Sequence, residues 1–198
     1  MALPLSDVQR AEVDKLAAAY GPIRRVRAPI PTGFADPLAR RDRVGEVCMV
    51  IRRPNGKIIV NTKTFYPPGA YRLLTGGVGP NERIADALAR ETVEETGLDT
   101  RLMRFLAAID YHDERDASSA PIFHTVAFLL EEIGGTLGSL DPAEEILDFR
   151  EIEMDELPRL AAQLESLDAP SERIGGNWGD WGRFRAVVHR VVAETLRT

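Results

Sequence analysis

Three glutamates crowd into nine residues, RETVEETGL at 90–98, near the end of a predicted helix. At 100° per residue, Glu91 and Glu95 continue the apolar stripe of the preceding turns, and Glu94 lies close beside them. Like charges at these spacings cost roughly 0.2–0.5 kcal/mol per contact, and the negative end of the helix dipole adds to the penalty. Mg²⁺ or Mn²⁺ would remove the repulsion, because both ions bind oxygen ligands. The pattern indicates either a metal site or a solvated acidic face in which Arg90 pairs with Glu94.

A glycine-rich loop, TGGVGPNE at 75–82, comes directly before this helix. Glycines let a backbone approach a phosphate or a metal closely. Loop and helix share one spaced pattern, whose fixed members are Gly76, Glu82, Arg90, Glu91, Glu94, Glu95 and Gly97. This pattern resembles the Nudix box, G-x5-E-x7-R-E-U-x-E-E-x-G-U with U aliphatic, and every fixed Gly, Glu and Arg position matches. Thr92 departs from the pattern at the first aliphatic position.

The resemblance implies an enzyme in which water attacks phosphorus and cleaves a diphosphate bond of a nucleoside diphosphate derivative. Divalent Mg²⁺ or Mn²⁺ is the implied cofactor, and such ions lower the pKa of bound water and neutralise phosphate charge. The expected metal-binding residues are Glu91, Glu94, Glu95, Gly76 and Glu82. The expected catalytic residues are Glu94 as general base, Glu91, and Arg90 as the group that orients a glutamate through a charge-assisted hydrogen bond.

Residues outside the box are expected to contact the substrate. Tyr111 and His112 end a predicted strand, and Glu144 and Glu145 precede another, where family members often supply a further acidic residue. The competing interpretation makes the first pair ordinary strand-end residues and the second pair an exposed turn. The identity of the nucleoside diphosphate derivative is left open.

Three other functions remain possible at this point. A Nudix-like domain can bind a nucleotide for regulation without turnover, although such a binder has no need for the full set of carboxylates. An isopentenyl-diphosphate isomerase needs a catalytic cysteine, and Cys48, the only cysteine, lies within the apolar run VCMVI. RNA cap removal is disfavoured by the formal net charge of -6, because a nucleic-acid surface is usually basic.

Composition predicts a soluble cytoplasmic protein that forms one domain. The 198 residues are 44% hydrophobic and 28% charged, and no secretory signal or run of about 18 apolar residues is present. A membrane partner is therefore not expected. A single cysteine excludes an internal disulfide.

Hydrophobic patterning predicts a Nudix-like α/β/α sandwich with a mixed β-sheet, an extra N-terminal helix and C-terminal helices. Within the single domain, residues 1–43 form an N-terminal helix and arm that pack on the core, and residues 44–198 form the Nudix domain. The expected helices are 6–20, 82–96, 156–168 and 180–196, with Asn81 as N-cap of the second. A Pro-Asn-Gly turn at 54–56 predicts a hairpin, and 101–112 and 122–132 are expected to be neighbouring strands.

The N-terminal helix, the arm at 23–43 and the tryptophan-bearing C-terminal arm lie outside the motif and are suited to dimerisation. The predicted assembly is a homodimer. Trp178 and Trp181 belong to the C-terminal arm. They are expected to anchor the last helix or a dimer interface, with a lid over a nucleobase as the alternative.

Overall fold

The computed structural model describes residues 5–30, 43–116, 118 and 120–197. Four helices flank the main sheet: α1 Asp7–Tyr20, α2 Ile84–Thr96, α3 Leu157–Glu165 and α4 Trp178–Leu196. The strands of that sheet are β1 Arg24–Ile30, β2 Gly45–Arg52, β3 Ile58–Lys63, β4 Leu74–Val78, β5 Leu98–Asp113, β6 Phe123–Gly135 and β7 Ile146–Ile152. Single 3₁₀ turns at Pro142–Glu144 and Met154–Glu156 and a small hairpin, β8 Pro170–Ser171 with β9 Gly176–Asn177, complete the described elements.

The sheet is mixed and its strands lie in the order β1-β5-β6-β2-β3-β7, with β4 also paired to β2. The β1–β5 and β2–β6 pairs are parallel, and the other pairs are antiparallel. The predicted hairpin is confirmed as β2–β3, and the two predicted neighbours are confirmed as β5 and β6.

Alternation along β2 sends side chains to two separate cores. Met49 and Ile51 pack with α1 and α2 on one face, whereas Cys48 and Val50 pack with α3 and α4 on the other. A strand buried on both faces reads as a continuous apolar run, as VCMVI does. The expected α/β/α sandwich is therefore confirmed.

The start of α2 differs from the prediction. The helix begins at Ile84 rather than at residue 82, and its N-cap is Arg83, whose side chain makes no capping bond. Glu12 of α1 serves instead, because its carboxylate accepts a hydrogen bond from the Ile84 amide at 2.9 Å. A neighbouring helix thus satisfies an amide that Asn81 was expected to satisfy.

The N-terminal helix follows the prediction closely. Ser6 and Gln9 form a reciprocal capping box at its start. The side-chain amide of Gln9 also donates to the carbonyl oxygens of Gly79 and Glu82, both at 2.9 Å. Helix α1 therefore contacts both the glycine-rich loop and the start of α2. Of the predicted arm at 23–43, residues 24–30 form β1, while 31–42 lie outside the described residues.

The last helix begins two residues earlier than expected. The Asn177 side chain accepts a hydrogen bond from the Gly179 amide and caps the helix, which brings Trp178 and Trp181 into its first turn. Among the described residues, every helix is too short or too polar to span a bilayer.

Candidate active site

Glu91 is held against the box loop. Its side chain is buried on the inner face of α2, and Gly76 of β4 lies directly opposite. A Cβ atom at Gly76 would come within 2.1 Å of Glu91 Cγ and within 2.2–2.3 Å of the Glu91 carboxyl group. Only glycine therefore fits at the first position of the motif, because any side chain would displace the carboxylate.

Arg90 ties the motif together. Its Nη1 donates to Glu91 at 2.8 Å and to Glu94 at 3.0 Å, and its Nε donates to Glu82 at 2.8 Å. Its Nη2 also donates to the Gly77 carbonyl at 3.0 Å. Three carboxylates raise the pKa of this guanidinium above its usual value, led by the hydrogen bond to Glu82. The arginine fixes the glycine-rich loop to the helix and orients Glu91.

The carboxylates of Glu91, Glu95 and Glu144 converge, with one oxygen of each lying within 4.8 Å of the others. Glu95 is 0% exposed, and neither of its carboxylate oxygens has a hydrogen-bond partner among the described residues. Burial raises its pKa to about 8, although Arg72 and Lys63 oppose the shift. Glu144 comes from the turn before β7. Burial raises its pKa, but the neighbouring groups, led by the hydrogen bond and the charge of Lys63, together outweigh burial and lower it.

A cavity of about 370 Å³ opens beside this cluster. Its cationic lining residues are Arg43, Lys63, Arg72, Arg90 and Arg185. Its carboxylate lining residues are Glu82, Glu91 and Glu144, and its aromatic ones are Phe65, Tyr66 and Trp181. The volume suits a small-molecule ligand. Cationic and aromatic groups beside carboxylates suit a ligand that is anionic and carries a ring.

A buried hydrogen-bond network forms the inner wall of the cavity. Arg185 of α4 donates to Glu46 of β2 at 2.7 Å and to the Thr75 hydroxyl at 3.1 Å. Arg72 donates to the same hydroxyl at 3.0 Å and to the Tyr66 hydroxyl at 2.9 Å. Both guanidinium groups are therefore fixed in position before any ligand binds.

His189 supports this wall from behind, as the Leu73 amide donates to its Nε2 at 2.9 Å and its Nδ1 donates to the Arg185 carbonyl at 2.7 Å. Burial lowers its pKa to about 4, so the ring is neutral at pH 7.

The other predicted site residues are spread over the molecule. Glu94 bonds to Arg90 at the rim and lies outside the three-carboxylate cluster, and Glu82 is bound by Arg90 and by the Gly79 amide. Tyr111 is fully buried in the core beside Phe184, because β5 runs on to Asp113 and pairs there with β1.

His112 is also buried, and the Glu145 carboxylate is bound by Arg173. Neither these two residues nor Tyr111 line the cavity. Of the four expected substrate contacts, Glu144 alone does so.

Sequence reasoning missed Lys63, Arg72 and Arg185. The sequence does contain a signal for Arg185, because this residue follows Trp181 by four residues and so continues the apolar stripe of α4. That is the same anomaly as Glu91 and Glu95 on α2: a charged residue on a buried face. The position of Lys63 has no such signal in the sequence.

The three-carboxylate cluster fits a hard divalent cation, since its donors are all carboxylate oxygens and those of Glu95 are buried without a hydrogen bond. Cys48 lies in the core of β2 and not on the cavity, and burial raises the pKa of its thiol. The cysteine chemistry of an isomerase therefore has no residue at this site.

Comparison with known proteins places the motif in context. The model of the NUDIX domain matches residues 42–172, more than half of the chain. An ADP-ribose pyrophosphatase of Methanocaldococcus jannaschii is 30% identical over 60% of this chain and 66% of its own length. The NAD-capped RNA hydrolase NudC of Chromobacterium violaceum is 30% identical over 60% of this chain and 41% of its own.

This chain thus spans less than two thirds of each of these curated relatives. The crystal structure of an ADP-ribose pyrophosphatase from Streptococcus suis superposes with a TM-score of 0.47 at 18% identity, covering 78% of this chain and 92% of that one. The match to the domain model covers the loop, the helix and the turn that carry the candidate site, and the chain belongs to the NUDIX domain family.

Proposed function

We propose that this protein is a Mg²⁺- or Mn²⁺-dependent hydrolase that cleaves a diphosphate bond in a nucleoside diphosphate derivative, with water attacking phosphorus. The observation that carries the proposal is the convergence of Glu91, Glu95 and Glu144 within 4.8 Å beside the cavity. Relatives named as an ADP-ribose pyrophosphatase and an NAD-capped RNA hydrolase support the same class of reaction.

Glu91, Glu95 and Glu144 would hold the metal. A bound divalent ion supplies charge neutralisation at phosphate oxygens and lowers the pKa of bound water. The chain's own contribution is to fix the ligands: Arg90 orients Glu91 from one side, and the absence of a side chain at Gly76 leaves room on the other. Because these carboxylates are already held in position, they do not need to reorganise during the reaction.

The cationic and aromatic walls would receive the substrate. Arg72 and Arg185 carry positive charge on the inner wall, where phosphate oxygens can accept hydrogen bonds or pair by charge. Tyr66 is partly exposed and packs on the buried Trp181, with ring centroids 4.7 Å apart, and it offers an apolar surface for a base or sugar. The C-terminal helix thus takes part in substrate binding through Trp181 and Arg185. Trp181 then combines the two roles considered for it: it anchors the last helix and it contributes to the surface for the base.

The first experiment measures phosphate or nucleotide release from ADP-ribose, NADH, a dinucleoside polyphosphate and an NAD-capped RNA, with Mg²⁺, with Mn²⁺ and with EDTA. Glu95→Gln is the test variant, and Glu153→Gln, at an exposed position far along the chain, is the matched control. We expect metal-dependent turnover of at least one compound, lost in Glu95→Gln and kept in Glu153→Gln. Turnover in EDTA, or full activity of Glu95→Gln, would contradict the proposal.

Glu94 stays our proposal for the general base. It neighbours Glu95 in sequence, is bound by Arg90, and its side chain is 38% exposed and so open to water. Glu94→Gln should keep Mn²⁺ affinity while losing turnover if this residue accepts a proton, whereas a metal ligand would lose both. Measuring Mn²⁺ binding by electron paramagnetic resonance beside the rate separates the two roles.

The homodimer expected from the sequence also stays a prediction. Light scattering coupled to size-exclusion chromatography would test it, with a mass of twice 21.9 kDa as the expected result. The NAD-capped RNA in the substrate panel tests the expectation that nucleic acid is not a partner.

A further inference from the structure

Lys63 ends β3 at an irregularity in the sheet. The register between β3 and β7 shifts between Thr62 and Lys63, so that Lys63 pairs with Ile146. Just before β7, Glu145 adopts a left-handed conformation with φ of 52°, and its carbonyl accepts a hydrogen bond from the Thr64 amide at 2.9 Å. This local geometry brings the Lys63 side chain next to Glu144, on the wall of the cavity.

The ammonium group of Lys63 contacts the three-carboxylate cluster. Its Nζ lies 2.7 Å from Glu144 Oε2 and 4.0 Å from Glu95 Oε1. The side chain is 13% exposed, so the charge is largely removed from water. Because charges interact strongly where water is excluded, this ammonium compensates part of the negative charge of the cluster, and Arg72 contributes to the rest.

A divalent ion at the cluster and the ammonium of Lys63 would compete for the same oxygens. Two cations a few ångströms apart repel each other, and Glu144 cannot fully satisfy both. Lysine carries its charge on a flexible four-carbon stem, and Lys63 lines the open cavity, so it has space to withdraw.

We propose that Lys63 is an internal cation that occupies the carboxylate cluster of the metal-free protein and is displaced when the divalent ion binds. The inference rests on the proposed function, since it assumes that the cluster binds metal. It assigns Lys63 a positioning role: the residue keeps Glu95 and Glu144 together without metal and sets the metal affinity.

The test is Mn²⁺ binding without substrate, measured by electron paramagnetic resonance, in the wild type, Lys63→Met and Lys63→Arg. Lys63→Met removes the charge and keeps an unbranched chain, so Mn²⁺ should bind about tenfold tighter or more. Lys63→Arg keeps the charge and should bind Mn²⁺ about as weakly as the wild type. Lys57→Met is the matched control, because Lys57 sits beside the same strand with Nζ 3.6 Å from the exposed Glu153, and its affinity should not change.

Unchanged or weaker Mn²⁺ binding in Lys63→Met, beside measurable binding in the wild type, would overturn the inference and leave the proposed function standing. Absence of Mn²⁺ binding in all the proteins would overturn both. If Lys63→Met unfolds without metal, the Mn²⁺ concentration that refolds it replaces the affinity, and refolding below the dissociation constant of the wild type is expected. Failure of Mn²⁺ to refold it would also reject the inference.

Discussion

Glu46 and Glu95 are both buried carboxylates near the same cavity, yet their surroundings are opposite. Glu46 accepts hydrogen bonds from the Thr125 hydroxyl at 2.9 Å and from Arg185 at 2.7 Å. Burial raises the pKa of Glu46, but Arg185, Arg43 and Arg72 together outweigh it and the net shift is downward. Neither carboxylate oxygen of Glu95 has a geometrically defined hydrogen bond within the part of the chain that the structure describes, and its pKa is raised to about 8.

The difference separates a carboxylate that stabilises the fold from one that we propose to bind the metal. A buried charge is tolerated when it is paired and hydrogen-bonded, as Glu46 is. An unsatisfied carboxylate at the same depth costs stability, and a cost of that kind points to a functional role. Four predictions follow this contrast, beginning with the largest effect.

Replacing Glu95 should abolish catalysis without harming the fold. Loss of one metal ligand is expected to reduce turnover by about a thousandfold or more, because a bound metal contributes several kcal/mol to the barrier. Glu95→Gln should nevertheless unfold no more easily than the wild type in EDTA. Steady-state rates measure the loss of turnover, and urea unfolding measures the stability. A variant that is both inactive and unstable would contradict the distinction drawn between Glu95 and Glu46.

Replacing Arg185, unlike replacing Glu95, should reduce stability in addition to any loss of substrate binding. Arg185→Met leaves Glu46 buried without its cation, and breaking a buried pair in this way costs about 3–5 kcal/mol. The free energy of unfolding in urea gives the value, with Arg183→Met as control, since Arg183 lies on the same helix, is 56% exposed and pairs with Asp180. Equal stability of the two variants would show that the Glu46 pair contributes little.

The two carboxylates should also respond to pH in opposite directions. Glu95 keeps its proton in the folded state up to about pH 8 but ionises near 4.5 when unfolded, so the unfolded state binds fewer protons between these values. The free energy of unfolding should therefore fall as pH rises from about 5 to about 8 and then level off. Glu46, whose pKa is lowered, contributes stability above its ordinary pKa of 4.5 and loses it as pH falls below that value.

Urea titrations in EDTA between about pH 4 and pH 9 would follow both effects. Glu95→Gln should make the decline toward pH 8 shallower, and the remainder comes from Glu91, whose pKa burial also raises. Parallel curves for the variant and the wild type would contradict the raised pKa of Glu95.

The smallest effect is expected at the edge of the Glu46 network. Tyr66→Phe removes the acceptor for Arg72 Nε and should cost about 1 kcal/mol, the usual net value of one hydrogen bond. Tyr20→Phe, at an exposed tyrosine, is the control and should change nothing. A loss as large as that in Arg185→Met would mean that Arg72, rather than Arg185, organises the inner wall.

Local pattern was sufficient to predict the helix of the site. The helical period places Glu91 and Glu95 on one buried face, and the φ of 64° at Gly97 ends α2 where the sequence predicts. The resemblance to the Nudix box added Glu144, which lies about 50 residues further along the chain. The helix could be predicted because it depends on neighbours in sequence and on a fixed spacing, whereas Glu144 came from the resemblance alone and its role stays a prediction.

Contacts between distant segments could not be predicted in this way. Arg185 meets Glu46 across 139 residues, and no spacing rule links α4 to β2. Tyr111 was expected at a wet strand end, but parallel pairing with β1 extends β5 and buries it. The lining of a cavity depends on how the layers pack against each other. Hydrophobic periodicity in a single sequence reports local structure and does not predict that packing.

Glu12 shows that a residue outside the match to the domain model helps to position the motif inside it. The residue lies well before position 42, where the match to the domain model starts, yet its carboxylate accepts the first amide of the helix that carries the box. The stretch that matches the domain model and the stretch that positions its motif are therefore not the same. A protein trimmed at residue 42 would keep every residue of the motif and lose the partner that fixes where its helix begins.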